Sequence, residues 1–150
     1  MTIFTRTDSG NSDFKHLVAL LDADLAKRDG DQHSFYAQYN GINDIRHVIV
    51  CYAGEKPVGC GAFKEYDHTK AEIKRMYILP EYRNQSLGQN ILRELELWAA
   101  EENFSECILE TGRNNPAAIK LYEKAGYTYI NNYGQYKDVE NSVCMKKEIL

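Results

Sequence analysis

The stretch that decides the fold is Arg75–Leu92, RMYILPEYRNQSLGQNIL. It begins as an apolar strand that Pro80 ends, because proline cannot donate a hydrogen bond to a strand ladder. A short polar loop follows, and from Leu87 onward the apolar residues recur at helical spacing. The sequence therefore predicts a strand, a loop and a helix, with the loop exposing N–H groups that the helix itself cannot pair.

The segments around this unit predict a regular succession of strands and helices. Strands are predicted at Thr2–Arg6, Arg46–Tyr52, Val58–Tyr66, Ala71–Leu79, Cys107–Glu110, Tyr127–Ile130 and Ser142–Lys147. Helices are predicted over Phe14–Leu25, Leu87–Glu101 and Pro116–Ala125. A strand meander followed by alternating strands and helices favours an α/β fold, with a mixed, mostly antiparallel sheet and helices on both faces. We expect a single domain over residues 1–150.

Composition excludes several classes of protein. The chain has 150 residues and a formal net charge of −4, which argues against nucleic acid as the main partner. No apolar run is long enough to cross a bilayer, and the first residues do not resemble a signal peptide. The four cysteines form no Cys-x-x-Cys pair and the histidines show no ligand spacing, so we expect free thiols, no metal site and a cytoplasmic location.

The loop after Pro80 has the features of an anion-binding turn. Unpaired N–H groups and the positive end of the helix dipole lie beside Arg83, whose guanidinium suits a phosphate. The sequence thus predicts a pyrophosphate-binding loop. The alternative is an ordinary surface helix with Ser86 as its N-cap.

Two blocks of sequence resemble the GNAT superfamily of acyl-CoA-dependent N-acetyltransferases. The family pattern Gln/Arg-x-x-Gly-x-Gly/Ala is similar to Arg83-x-x-Ser86-x-Gly88, although serine replaces one glycine and Asn84 stands where many members have another. The second block is Asn115–Tyr127, NPAAIKLYEKAGY, which resembles the pattern Asn-x-x-Ala-x-x-Leu-Tyr-x-x-x-Gly-Phe/Tyr. The resemblance extends over about residues 48–145.

The resemblance implies acetyl-CoA as co-substrate and a defined set of residues around it. Asn115 would bind the pantetheine arm, and main-chain groups of Met76 and Ile78, on a strand that splays from its neighbour, would pair with pantetheine and the thioester. An N–H near Met76 would act as oxyanion donor. The full predicted set is Met76, Ile78, Arg83, Asn84, Gln85, Ser86, Leu87, Gly88, Gln89 and Asn115. A plain helix N-cap is the alternative role for Asn115.

The resemblance also implies two catalytic residues. Tyr122 would protonate the departing coenzyme A thiolate; core packing is the alternative, since Tyr122 lies on the apolar stripe of its helix. Glu72 stands four residues before Met76, where the histone-acetylating branch keeps its general base. Strict alternation would place Glu72, Met76 and Ile78 on one side of the strand. The alternatives for Glu72 are a solvated strand residue or an ion pair with Lys64.

The acceptor is expected to be a primary amine, on a small molecule. Acidic residues near the first helix would suit an ammonium group, whereas an arginine would suit a carboxylate, so an amino-acid-like acceptor is one possibility. The candidate acceptor residues are His33, Tyr36, Arg75, Tyr133 and Tyr136. The rival hypotheses are a protein lysine or N-terminal acetyltransferase and a non-catalytic acyl-CoA sensor. We expect no nucleic-acid or membrane partner, and a monomer or homodimer.

Overall fold

One seven-stranded sheet organises the chain in the computed structural model, which describes residues 1–30 and 44–150. The strands are β1 Thr2–Thr7, β2 His47–Ala53, β3 Lys56–Glu65, β4 Lys70–Ile78, β5 Glu106–Gly112, β6 Thr128–Ile130 and β7 Ser142–Glu148. The helices are α1 Ser12–Asp29, α2 Leu87–Glu101 and α3 Pro116–Lys124, with 3-10 turns at Pro80–Tyr82 and Gly134–Tyr136. The predicted strands and helices are confirmed, with small differences at their ends.

The strand order is β1-β2-β3-β4-β5-β7-β6, and β4 with β5 is the parallel pair among otherwise antiparallel neighbours. This confirms the mixed, mostly antiparallel sheet. Among the described residues no helix is both long and apolar enough to span a membrane, and no group of three or more His, Cys, Asp or Glu side chains could hold a metal ion.

Helices cover both faces of this sheet, as predicted. On one face the Tyr52 hydroxyl donates a 2.7 Å hydrogen bond to Asp13 of α1. On the opposite face Phe63 meets Trp98 of α2 edge-to-face, with ring centroids 5.9 Å apart. Side chains alternate between these faces along β2 and β3, so each strand contributes to two apolar layers.

A bulge in β4 at Arg75 reverses this alternation. Cys60 pairs with Tyr77 but Ala62 pairs with Lys74, so two residues of β4, Arg75 and Met76, lie opposite the single residue Gly61 of β3. Arg75 takes the left-handed conformation, with φ 59°, and its carbonyl accepts a 3.4 Å hydrogen bond from the Cys60 thiol. The extra residue sends every side chain after it to the other face.

The predicted position of Glu72 on the same side as Met76 and Ile78 is therefore wrong. Glu72 lies opposite Lys64 in the β3 register and points toward the α1 face. Met76 and Ile78 approach the glycines of β3 on the α2 face, where a Cβ at Gly61 would come within 2.5 Å of the Met76 sulfur. Simple alternation fails because it assumes a strand without a bulge.

The other decisive feature is a split between β4 and β5. The two strands pair only where Lys70–Glu72 meets Glu106–Ile108. Beyond that point β4 continues to Ile78 and β5 to Gly112 without pairing, so a cleft opens between them and frees main-chain groups. The splay that the resemblance implied is confirmed.

The tight contact at Gly61 makes a first test. We expect Gly61→Ala to destabilise the protein by about 1–3 kcal/mol through overpacking, because the added Cβ would lie 2.5 Å from the Met76 sulfur and 2.8 Å from Ile91 Cγ2. Urea unfolding measures the change. Gly10→Ala is the control, since its nearest neighbour is the flexible Asp8 carboxylate at 3.1 Å. Equal stability of the two variants would contradict the packing described.

Candidate active site

The cleft between the splayed strands holds two connected cavities. A groove of about 490 Å³ runs between α1, the loop before α2, and α3. A smaller cavity of about 130 Å³ lies beside β4 and the end of β5. Both are lined by Leu21, Leu25, Met76, Asn115, Ala118 and Tyr122. A ligand that lies in the groove therefore reaches the smaller cavity at Met76 and Tyr122.

The loop before α2 has the backbone shape of an anion-binding turn. Asn84 and Ser86 are both left-handed, with φ 65°. Ser86 occupies the N-cap position of α2, as the alternative interpretation has it, but its side chain makes no cap hydrogen bond. Left-handed residues in a turn let successive N–H groups converge on one point, and the first N–H groups of α2 add to them. The loop therefore fits a pyrophosphate group.

Arg83 is held at the edge of the groove. Its Nε donates a 2.9 Å hydrogen bond to the Ile78 carbonyl, and one terminal nitrogen lies 3.6 Å from the Asp24 carboxylate. The guanidinium also lies over the Tyr77 ring, 5.6 Å from its centroid. These contacts orient a cation beside the N–H groups of the loop, where a phosphate would be neutralised.

The structure brings together all but one of the residues predicted to bind the cofactor. Those that line the groove are Met76, Ile78, Arg83, Asn84, Ser86, Leu87, Gly88, Gln89 and Asn115. Gln85 is exposed and does not line it. The groove volume, the converging N–H groups and the adjacent guanidinium together suit the coenzyme.

Asn115 has both of the features that the sequence left as alternatives. Its side-chain oxygen accepts from the Ala118 N–H at 3.3 Å, which makes it the N-cap of α3. The same oxygen accepts from Arg28 at 3.3 Å. With its oxygen held, the amide NH₂ group of Asn115 is left to face the groove as a donor.

Tyr122 is both a core residue and a lining residue of the two cavities. It is 7% exposed and meets Tyr127 edge-to-face at 5.9 Å. Burial, and then the negative charge of Glu110, raises the pKa of Tyr122 well above its ordinary value. The phenol is therefore fully protonated at neutral pH, and among the described residues its hydroxyl has no hydrogen-bond partner. The hydroxyl is therefore available to donate a proton, while its raised pKa makes it a weaker acid than an exposed phenol.

Glu72 is buried, with 4% exposure, so it is not a solvated strand residue. One carboxylate oxygen accepts a 2.7 Å hydrogen bond from the Tyr133 hydroxyl, and the other lies 3.7 Å from the Lys74 ammonium. The ion pair with Lys64 that alternation suggested is replaced by this contact with Lys74. Both oxygens of Glu72 are thus already engaged.

Glu110 is a carboxylate that sequence reasoning missed. It lines the smaller cavity, accepts a side-chain hydrogen bond from Ser142, and keeps its second oxygen, Oε2, buried without a partner in the described part of the chain. Burial raises the pKa of Glu110 to about 7. The available signal was a carboxylate that directly follows the apolar run Cys107–Leu109, at the end of a buried strand.

The predicted acceptor residues divide into three groups. Arg75 and Tyr136 line the smaller cavity, and the guanidinium of Arg75 is paired with Asp22 of α1. Tyr133 does not line this cavity, but its hydroxyl donates a hydrogen bond to the Glu72 carboxylate. His33 and Tyr36 lie outside the described residues.

Comparison with known proteins gives the family. Residues 14–127 match the sequence profile of the acetyltransferase (GNAT) family. The N-acetyltransferase YsnE of Bacillus subtilis, itself uncharacterised, is 31% identical over 115 residues, 73% of this chain and 76% of the relative. The IAA acetyltransferase of Azospirillum brasilense is 32% identical over 107 residues, 71% of this chain and 69% of the relative. The chain belongs to the GNAT family of acetyltransferases.

Solved structures agree with this assignment. An acyl-CoA N-acyltransferase assigned in Klebsiella pneumoniae has a TM-score of 0.84 at 28% identity, covering 100% of this chain and 99% of the other. The PaiA N-acetyltransferase of Thermoplasma acidophilum, in complex with coenzyme A, shares the fold with a TM-score of 0.73 at 19% identity and 99% coverage of both chains. The family match makes the protein an acyltransferase that uses acetyl-CoA as co-substrate.

The left-handed serine of the loop gives a test of the groove. A non-glycine residue in this conformation is strained by about 1–2 kcal/mol, and part of that is offset by the greater freedom of glycine in the unfolded chain. We expect Ser86→Gly to raise the melting temperature and to preserve or tighten coenzyme A binding, measured by thermal shift and calorimetry.

Ser9→Gly is the matched control, because Ser9 has an ordinary negative φ and its replacement should not stabilise the protein. A large loss of coenzyme A affinity in Ser86→Gly would show instead that the serine hydroxyl is itself a ligand of the coenzyme.

Proposed function

We propose that this protein transfers the acetyl group of acetyl-CoA to a primary amine of a small molecule. The observation that carries the proposal is the junction of the two cavities, where the groove meets a partly enclosed space of about 130 Å³ at Tyr122. That space admits a small amine-bearing group. A protein that only binds acyl-CoA would not need this second space.

The names of relatives support a small acceptor. One is called IAA acetyltransferase, and another, from Thermoplasma acidophilum and 34% identical over 58 residues, is called spermidine N(1)-acetyltransferase. The main competing hypothesis is a protein N-acetyltransferase that modifies a lysine or an N-terminus.

Transfer by direct attack fits the residues of the cleft. All four cysteines, Cys51, Cys60, Cys107 and Cys144, are buried and none lines either cavity. Burial raises the pKa of Cys60 and of Cys107 to about 12, so these thiols are not nucleophiles at neutral pH. Tyr122 would give its proton to the sulfur that leaves, and the freed main chain near Met76 would stabilise the oxyanion.

Glu110 is better suited than Glu72 to take the proton from the acceptor ammonium. Its Oε2 is unpaired, it lines the same cavity as Tyr122, and burial places its pKa at about 7, near the value that serves a general base at neutral pH. Glu72, the base implied by resemblance, has one oxygen hydrogen-bonded to the Tyr133 hydroxyl and the other in an ion pair with Lys74. We propose Glu110 as the base and keep Glu72 as the alternative.

A thiol-release assay with acetyl-CoA and a panel of primary amines tests the proposed function. Thiol release with at least one small amine, above the rate of acetyl-CoA hydrolysis, is the expected result. Release with peptides alone would favour a protein acetyltransferase. Saturable acetyl-CoA binding without release for any acceptor would identify a sensor.

Removing the hydroxyl of Tyr122 should slow transfer and leave cofactor binding unchanged. We expect Tyr122→Phe to lower kcat by about 10²-fold or more, as for loss of a general acid, while the Kd for coenzyme A stays within error. Tyr129→Phe is the control, since Tyr129 is an exposed tyrosine whose hydroxyl bonds Glu123 on the surface. An unchanged kcat would leave Tyr122 with a packing role alone.

The two candidate bases are separated by their pH profiles. With Glu110 as base, kcat/KM rises with pH through about 7 as the carboxyl ionises, which gives the acidic limb of the pH profile. Glu110→Gln is expected to remove this acidic limb together with most of the activity. Glu106→Gln, at the other end of the same strand, should keep the wild-type profile. If Glu72→Gln rather than Glu110→Gln abolished the limb, Glu72 would be the base.

The raised pKa of Glu110 also has a consequence for stability. A carboxyl whose pKa rises on folding contributes stability at low pH that is lost as pH rises through the folded value of about 7. We therefore expect Glu110→Gln to be more stable than the wild type at pH 8, by on the order of 2 kcal/mol. The advantage should shrink toward pH 5, as measured by denaturant unfolding.

A further inference from the structure

The ammonium group of Lys74 lies in the smaller cavity with hydrogen-bonding capacity to spare. The side chain is nine-tenths buried, at 10% exposure, and it lines the cavity. Its acidic neighbour is Glu72, whose oxygen lies 3.7 Å from Nζ, beyond hydrogen-bonding distance. A lysine has three N–H donors, and none of them has a hydrogen-bond partner among the described residues.

Lys74 and the proposed base, Glu110, stand at corresponding positions of the neighbouring strands β4 and β5. Glu72 pairs with Ile108 in the parallel register of β4 and β5, and two residues further along each strand stand Lys74 and Glu110. Both side chains occupy the face toward α1, on either side of the gap where the strands no longer pair. The gap is therefore flanked by one cation and one carboxylate.

The other charged groups of this cavity each have at least one partner, although Nε of Arg75 has none among the described residues. The Arg75 guanidinium is paired with Asp22, and Glu72 accepts the Tyr133 hydroxyl. Asp29, which also lines the cavity, is likewise engaged in an interaction. Within the described lining, the groups with unfilled capacity are the Lys74 ammonium and the Arg75 Nε, as donors, and Oε2 of Glu110, as acceptor. One ligand that carries both an anion and an ammonium would satisfy the donors and the acceptor together.

We propose that the acceptor is a small amine that also bears a carboxylate, an amino-acid-type molecule, whose carboxylate binds Lys74 while its ammonium meets Glu110. This inference rests on the proposed function and adds the substrate class. A polyamine or a protein N-terminus would bring no carboxylate to Lys74 and would leave its buried N–H donors without a hydrogen-bond partner, which costs free energy.

The step balances with the residues described. The ammonium gives a proton to Glu110, the amine nitrogen forms a bond to the acetyl carbon, and the carbon–sulfur bond breaks. Tyr122 supplies the proton that the sulfur takes up. The nitrogen loses its second proton, which restores the phenol through solvent, and Glu110 returns its own proton to water.

The test compares acceptors that differ only in the carboxylate. Free amino acids are assayed against their carboxamides in the thiol-release assay, with acetyl-CoA saturating. The amide has the more readily deprotonated amine, so intrinsic reactivity favours it. We expect the wild type nevertheless to prefer the acid form by about tenfold or more in kcat/KM, as for one charge-assisted hydrogen bond.

Lys74→Met should remove this preference by raising KM for the acid form, with little change for the amide. Lys74→Arg should restore part of it, because a cation remains at the same place. Lys15→Met, on the exposed surface of α1, is the matched control and should behave as the wild type. Calorimetric titration of the acid into the coenzyme A complex gives a second measure that does not depend on turnover.

The outcomes separate this inference from the proposed function. Acetylation of amines with no preference for the acid form in the wild type would overturn the carboxylate inference and leave the acetyltransferase assignment to small amines intact. A preference that persists in Lys74→Met would overturn the role of Lys74. Failure of every small amine to release thiol would overturn both, and the wild-type comparison decides this even if a variant does not fold.

Discussion

The cleft follows from how β4 pairs with the strands on its two sides. Along its first residues β4 pairs with β3 on one side and β5 on the other, but beyond Glu72 it pairs with β3 alone. The bulge at Arg75 lies in this half-paired stretch, where a left-handed residue and an extra position can be accommodated without breaking a second ladder. The gap that results is the place where the groove and the smaller cavity meet, so the defect in the sheet is also the origin of the active site.

Charged groups inside the sheet follow from the same defect. The Arg75 guanidinium, nearly excluded from solvent, is neutralised by Asp22, which holds α1 against the bulge. A second polar cluster is formed by Glu72, Lys74 and Tyr133. Buried charges are costly unless they are paired, and incomplete pairing is found where a ligand completes it. Among the described residues, pairing is left incomplete at the Lys74 ammonium, at Nε of Arg75 and at Oε2 of Glu110.

Much of the site could be predicted because its signals are local. The strand ended by Pro80, the helix from Leu87 and the Arg83 loop depend on neighbours in sequence, and they lie where the pattern indicated. Asn115 could be read as a cap and as a ligand; the cap hydrogen bond is present, and the ligand role stays a prediction. Glu72 was placed on the wrong side because a bulge leaves no mark in the spacing of apolar residues. Glu110 was missed because a lone carboxylate at a strand end becomes informative only when its burial and its neighbours are known.

The sequence by itself determined the order of strands and helices, the anion-binding loop, the family and the co-substrate, since each of these rests on contiguous residues. Only the tertiary structure decided which carboxylate lies unpaired in the cleft, which face each residue of β4 presents, and that Lys74 stands level with Glu110. The physical reason is that ionisation and hydrogen bonding depend on burial and on partners distant in sequence. One extra residue in a strand, through the bulge at Arg75, changes those partners for every position that follows.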